Sequence, residues 1–169
     1  MSAVHQAEGL KQSGLPSIAI LAICLVVCFA AAGIGSLLTT PNIPGWYENL
    51  VKPPFNPPNW IFAPVWTALF ALMAIAMWRV WIRATGSTRR KATIAFAIQL
   101  ALNIGWSAAF FAAHAPGLAI FVIIALLVAI AATIRLFYPV DRPASWMLAP
   151  YFAWVSFATL LNVSIFALN

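Results

Sequence analysis

Apolar residues run along this chain in five long blocks, 16–38, 60–82, 92–113, 116–137 and 144–168, separated by polar connections. Each block is near or above the ~20 residues that a helix needs to cross a bilayer. Lipid offers no partner to backbone polar groups, so each block must be helical. The pattern predicts an all-α integral membrane protein: one membrane domain, 1–169, built as a bundle of five transmembrane helices. Residues 1–15 are polar and mixed, as in a frayed terminus. The first block is too long for a signal-peptide core and no clear small-residue cleavage site follows it, so it reads as a retained span. No internal repeat is visible, which argues against an inverted-repeat transporter plan.

The longest connection, 39–59, and the block that follows it share an unusual stretch, WYENLVKPPFNPPNWIFAPVWTALF. Pro53, Pro54, Pro57 and Pro58 form two pairs in it. Each proline fixes φ, removes a donor and pushes the preceding residue towards extended geometry. Lys52 to Asn59 is therefore expected to be stiff, extended and non-helical. Trp60 is expected to open a helix with Pro64 in its first turn, where a missing N–H costs little. The stretch reads either as a loop ending in aromatic interface anchors or as a rigid lid over the open end of the bundle.

Composition sharpens this picture. Of 169 residues, 64% are apolar and 7% charged, where a soluble domain carries roughly a quarter charged. Soluble enzyme classes are excluded. The net charge of +6 is not a nucleic-acid footprint, because the basic residues lie in connections and form no single face. With five spans, Lys11, Arg79, Arg83, Arg89, Arg90, Lys91, Arg135 and Arg142 fall on the amino-terminal side, and only Lys52 on the other. The positive-inside rule then places the amino terminus in the cytoplasm and the carboxyl terminus outside, in a bacterial cytoplasmic membrane, with an outer membrane as the alternative. An even number of spans would spoil the asymmetry.

Small residues at three- or four-residue spacing mark close helix contacts. Ala31 with Gly35 and Ala32 with Ser36 do so in the first span; Ala97, Ala101, Gly105 and Ala108 do so in the third. They serve packing within the bundle or between the protomers of a homodimer. Cys24 and Cys28 share one face of the first span and read as small packing residues.

No Asp, Glu, Lys or His lies deep in any span, as a proton relay or ion pathway would require. No metal-ligand cluster, Ser/His/Asp set or phosphate loop is present. His5 and His114 fall on opposite sides of the membrane, and His114 reads as an interface residue. Aromatic and amide groups remain. Trp78, Trp81 and Trp146, and on the other side Trp46 and Trp60, fit interfacial belts. Trp66, Trp106 and Trp154 lie deeper, the first two ~9–10 Å below the outer ends of their spans at ~1.5 Å per residue. Gln99, Asn103, Trp106 and Phe110 share one helical face, as do Trp154, Ala158 and Leu161, with Asn162 beside them. The residues leave two readings open. They tie helices together, or Trp66, Asn103, Trp106, Trp154 and Asn162 line a pocket for a large, flat, mostly apolar ligand.

These residues resemble the tryptophan-rich sensory protein family (TspO/MBR), which includes the translocator protein or peripheral benzodiazepine receptor. The resemblance rests on the stretch quoted above, on QLALNIGWSAAFF at 99–111 and on APYFAWVSFATLLN at 149–162. It implies a five-helix bundle, often dimeric, that binds porphyrins such as protoporphyrin IX and haem and needs no obligatory cofactor. By motif, the pocket would take Phe62, Ala63, Val65 and Trp66 from the second span, Asn103 and Trp106 from the third, and Trp154, Ala158 and Leu161 from the fifth. Trp46, Lys52, Pro57, Pro58 and Trp60 match the loop that covers it. Phe55 and Phe70 depart from the usual Trp and Tyr. Val163 stands where a cholesterol motif needs Tyr, and no basic residue follows, so cholesterol recognition through that motif is not expected. The short tail without basic residues points to a bacterial member.

The leading expectation is a porphyrin-binding receptor or carrier with a sensing, regulatory or transport role. An enzymatic alternative is light- or oxygen-dependent porphyrin breakdown through Trp66, Trp106 and Trp154, although no acid–base pair for ordinary catalysis is present. A third reading is facilitated movement of other small apolar molecules. A fourth is a module that presents a helix face to a partner.

Overall fold

A computed structural model describes residues 16–169, so the expectation for 1–15 lies outside the described residues. Five helices are long and apolar enough to cross a membrane by length and composition. The protein is a multi-pass, all-α membrane protein. Its helices are α1 Ser17–Thr39, α2 Asn59–Arg83, α3 Gly86–Ser107, α4 Pro116–Phe137, the short α5 Arg142–Met147, and α6 Ala149–Leu168.

Four boundaries differ from those the hydropathy pattern gives, each for a local reason. The connection after α1 does not leave helical geometry at Thr39. A tight turn over Thr40–Asn42 and a wide turn over Ile43–Tyr47 carry it on, broken at Pro44 and Gly45, and residues 50–58 are non-helical. The direction changes where Pro44 is extended and Gly45 takes φ 85°, a region that a side chain disfavours. α2 opens at Asn59, so Pro64 lies inside the helix rather than in its first turn. α3 begins at Gly86, because Arg89, Arg90 and Lys91 can be helical while lying outside hydrocarbon. The fifth span breaks at Leu148, where Pro150 cannot donate to the preceding turn.

α1 packs on α2 and α3, α3 on α4, α4 on α6, and α5 on α2, which closes a ring. Aromatic pairs span the α2–α6 side: Phe62 with Trp154, centroids 5.8 Å apart, and Trp66 with Tyr151, 6.2 Å. The centre is filled by Met73, Ile123, Leu126, Ile130 and Val155. Gly35 faces Ser107 so closely that an added Cβ would touch its Oγ at 3.5 Å, a contact that brings α1 onto α3.

The two ends of the bundle differ. At the basic end, Asp141 caps α5 through the Ala144 N–H and holds Arg79 at 3.1 Å and Arg83 at 3.0 Å. Trp78 Nε1 donates to the Ser17 carbonyl at 3.0 Å and ties α1 to α2 there. The other end carries a lid, residues 42–58. Trp46 stacks on His114 with centroids 4.4 Å apart, and His114 Nε2 donates to Asn42 Oδ1 at 2.9 Å. Asn169 clamps the lid: its Nδ2 donates to the Val51 carbonyl and its Oδ1 accepts from the Val51 N–H, both at 3.0 Å.

Candidate functional site

The buried face of α3 supplies the polar groups of the bundle's lid half. Gln99, Asn103 and Phe110 are all buried on it. Asn103 Nδ2 donates to the Tyr151 hydroxyl at 3.0 Å. Trp106 Nε1 donates to Asn162 Oδ1 at 3.1 Å, and Asn162 Nδ2 donates to the Pro116 carbonyl at 3.0 Å. Asn162 therefore works as a tie between α6, α3 and α4. Gln99 meets Met73 Sδ at 3.8 Å, and its Oε1 has no partner.

Above this layer a cavity of about 500 Å³ opens between α1, α2 and α3, under the lid. α2 supplies Phe62, Ala63, Trp66 and Phe70. α3 supplies Asn103, Trp106 and Ser107, and the turn after it supplies Phe111. α1 supplies the third wall, with Phe29, Ala32, Gly33, Gly35 and Ser36. Ile43 and Tyr47 of the lid close the top. Tyr47 is held there by its hydroxyl, which donates to Asn56 Oδ1 at 3.1 Å, and by Lys52 Nζ, 4.7 Å from its ring centre. Lys52 Nζ also donates to the carbonyls of Glu48 and Leu50, at 3.0 and 3.1 Å. Among the described residues, neither of these partners is a carboxylate.

The structure brings Phe62, Ala63, Trp66, Asn103 and Trp106 together around this space. Val65, Trp154, Ala158, Leu161 and Asn162 are not among its walls. Ala158 and Leu161 are buried against neighbouring helices, and Val65 packs on the core. Trp154 lies between Phe62 and Phe157, and its Nε1 is buried without a partner. In the lid, Trp46 sits over Phe110 and Phe111. Pro57 and Pro58 lie in the extended segment before α2. Trp60 is 72% exposed and points away from the cavity, as an interfacial anchor would. The α1 wall was the part that sequence reasoning missed. Its signal was Ala32 and Ser36 at four-residue spacing, which reads equally as a packing motif.

At the basic end, burial pushes the Asp141 carboxyl up. The Ala144 N–H, the hydrogen bond from Arg79 and the charges of Arg79 and Arg83 pull it down further, leaving it below the ordinary carboxylate value. The group is structural, at the far end from the cavity. Among the described residues no cluster of His, Cys, Asp or Glu could hold a metal ion.

The fold and cavity define a class: a five-span helical membrane protein with an aromatic-walled cavity closed at one end by Ile43 and Tyr47. Residues 22–168 match the TspO/MBR family, and the chain belongs to it. It is 43% identical over 152 residues to the "Tryptophan-rich protein TspO" of Chlorobaculum tepidum, covering 88% of this chain and 95% of that one. It is 38% identical over 146 residues to the "Tryptophan-rich protein TspO" of Archaeoglobus fulgidus, covering 86% and 94%. The "Translocator protein" of Homo sapiens is 37% identical over 127 residues, covering 73% and 75%.

Proposed function

We propose that the cavity binds a planar tetrapyrrole, protoporphyrin IX or haem, and that the protein is a membrane receptor or carrier that senses, regulates or moves it. One observation carries the reading: a space of about 500 Å³ walled by the indoles of Trp66 and Trp106, with Phe62 and Phe111 beside them and the Asn103 amide at its base. That volume lies within the roughly 300–1,000 Å³ usual for small-molecule sites. A flat conjugated ring gains about 0.5–1.5 kcal/mol per aromatic partner beyond area burial. Lys52 lies against Tyr47, behind the cavity wall, and in this reading it reaches a propionate at the rim. The relatives' names, with "sensory" and "translocator" among them, agree with a sensing or carrying role.

Trp66 and Trp106, which border the cavity, would be the aromatics of a porphyrin-breakdown activity; Trp154 stands apart from it. The amino terminus is read as cytoplasmic, from seven basic residues at one end (79, 83, 89, 90, 91, 135 and 142) against Lys52 at the other. A homodimer is read from the exposed small face of α3 at Ala97 and Ala101.

Filling the cavity tests the binding. Ala32 is half-buried on its α1 wall. Protoporphyrin IX titrated into detergent-solubilised protein is expected to quench tryptophan fluorescence saturably. Ala32→Phe is expected to raise the Kd by about tenfold or more, since overfilling a site forces side chains and backbone aside. Equal affinity in the filled variant would contradict the assignment.

A further inference from the structure

We infer that the cavity is loaded sideways from the bilayer, through a mouth between α1 and α2, and not through the lid. The inference rests on the reading of the cavity as a binding site for an apolar, membrane-soluble molecule. Two edges carry it. On α1, Phe29, Gly33 and Ser36 both line the cavity and are exposed. They recur at i, i+4 and i+7, one face of a helix. On α2, Ala63 and Thr67, at i and i+4, do the same. The inner positions of the cavity wall, Ala32 and Gly35 on α1 and Phe62, Trp66 and Phe70 on α2, are half-buried or buried. A wall whose inner edge is covered and whose outer edge is open is a side entrance.

The chemistry of the mouth suits lipid. Ser36 Oγ and Thr40 Oγ1 pair with each other at 3.3 Å, and Thr67 Oγ1 donates to the Ala63 carbonyl at 2.8 Å. Each hydroxyl therefore has a partner, which apolar surroundings demand. Among the described residues an added Cβ at Gly33 meets nothing within 4 Å, so the mouth is open beside it.

The lid is held by layers of contacts, and the exposed cavity residues nearest it, Thr40 and Asn59, lie at the ends of α1 and α2, so the mouth runs up to the lid's edge between these two helices. Tyr47 is buried and bonded to Asn56, Trp46 is stacked on His114, and Asn169 grips both backbone polar groups of Val51. Entry through the lid would break these contacts together. Entry between α1 and α2 breaks none of them. The substrate class follows: molecules that first dissolve in the bilayer, flat enough to pass between two helices.

The test uses proteoliposomes and stopped-flow quenching of tryptophan by protoporphyrin IX. Gly33→Leu and, on the opposite edge, Ala63→Leu narrow the mouth. Asn169→Ala frees the lid without touching the cavity wall. Each mouth variant is expected to slow association and dissociation by a common factor of about five or more, and Asn169→Ala to leave both rates within about twofold of wild type. The wild-type association rate should also follow porphyrin per lipid rather than porphyrin per volume. Faster exchange in Asn169→Ala with unchanged rates in both mouth variants would overturn the route and leave the site intact. Slower association with faster dissociation in both mouth variants would show a damaged wall rather than a narrowed entrance, and would also overturn it. Absence of saturable quenching in wild type would remove the site itself, and the route with it.

Discussion

Single side chains divide the deep aromatic and amide groups into two jobs. Asn162 spends its donor on Pro116 and its acceptor on Trp106, so it has little left for a ligand. Asn103 also bonds Tyr151, yet it borders the cavity. Both amides looked alike in the sequence, where each was a polar residue in the lid half of a span. Helical spacing gave the face but not the neighbour across it, and only the neighbour separates tie from wall. Lys52 makes the residue-scale prediction. Its Nζ meets two carbonyls and, among the described residues, no carboxylate, so Lys52→Gln should weaken protoporphyrin IX by about two- to fivefold, in line with ~0.5–1 kcal/mol for a partly exposed ion pair. The dimethyl ester of the same porphyrin has no propionate charge, and its affinity should be unmoved. Parallel titrations of the two porphyrins give the answer; equal losses for both would show that Lys52 only supports the lid.

Elements follow from punctuation more than from hydropathy. Window hydropathy found five spans, yet it placed the start of α3 at 92 because it discounts Arg89, Arg90 and Lys91, which a helix accepts once it has left hydrocarbon. It treated 144–168 as continuous, where Pro150 makes α5 and α6 separate helices. It also read the connection from Thr39 as loop, whereas the chain forms turns up to Glu48 and Asn49, broken at Pro44 and Gly45, before the Pro-rich segment. α5 hangs on Asp141, whose side chain is only 2% exposed and which caps the helix while pairing with α2 through Arg79 and Arg83. Its carboxyl titrates below the ordinary 3.8. A carboxylate held down in this way stabilises the fold fully above the unfolded value, and the gain is lost as pH falls through the folded one. Thermal unfolding in detergent should therefore show stability falling below about pH 4. In Asp141→Asn that acid limb should flatten, and stability at neutral pH should fall by about 2–3 kcal/mol, less than a fully buried pair costs because the arginines are partly exposed. An acid limb of equal size in the variant would place its origin elsewhere.

For the whole molecule, class and architecture were legible early: apolar blocks of spanning length and a one-sided basic charge leave few alternatives to a five-helix bundle. The cavity was half legible. Its α2 and α3 walls carry large aromatic and amide residues that stand out, and the family motifs contain them. Its α1 wall is made of Ala32, Gly33, Gly35 and Ser36 beside Phe29, and small residues announce themselves only by the space they leave. The fifth span went the other way: Trp154, Ala158 and Leu161 share a face as expected, but that face packs against neighbours and not on the cavity.

A porphyrin between α1, α2 and α3 would stack on Trp66 and leave Trp154 untouched. The most direct measurement compares protoporphyrin IX affinity in Trp66→Leu and Trp154→Leu, read by the porphyrin's own Soret absorption so that lost tryptophans do not confuse the signal. The Kd should rise by about three- to tenfold in Trp66→Leu, from the loss of one stacking partner, and stay near wild type in Trp154→Leu. The reverse order, with Trp154→Leu losing affinity and Trp66→Leu keeping it, would move the ligand to the α2–α6 side and contradict the account.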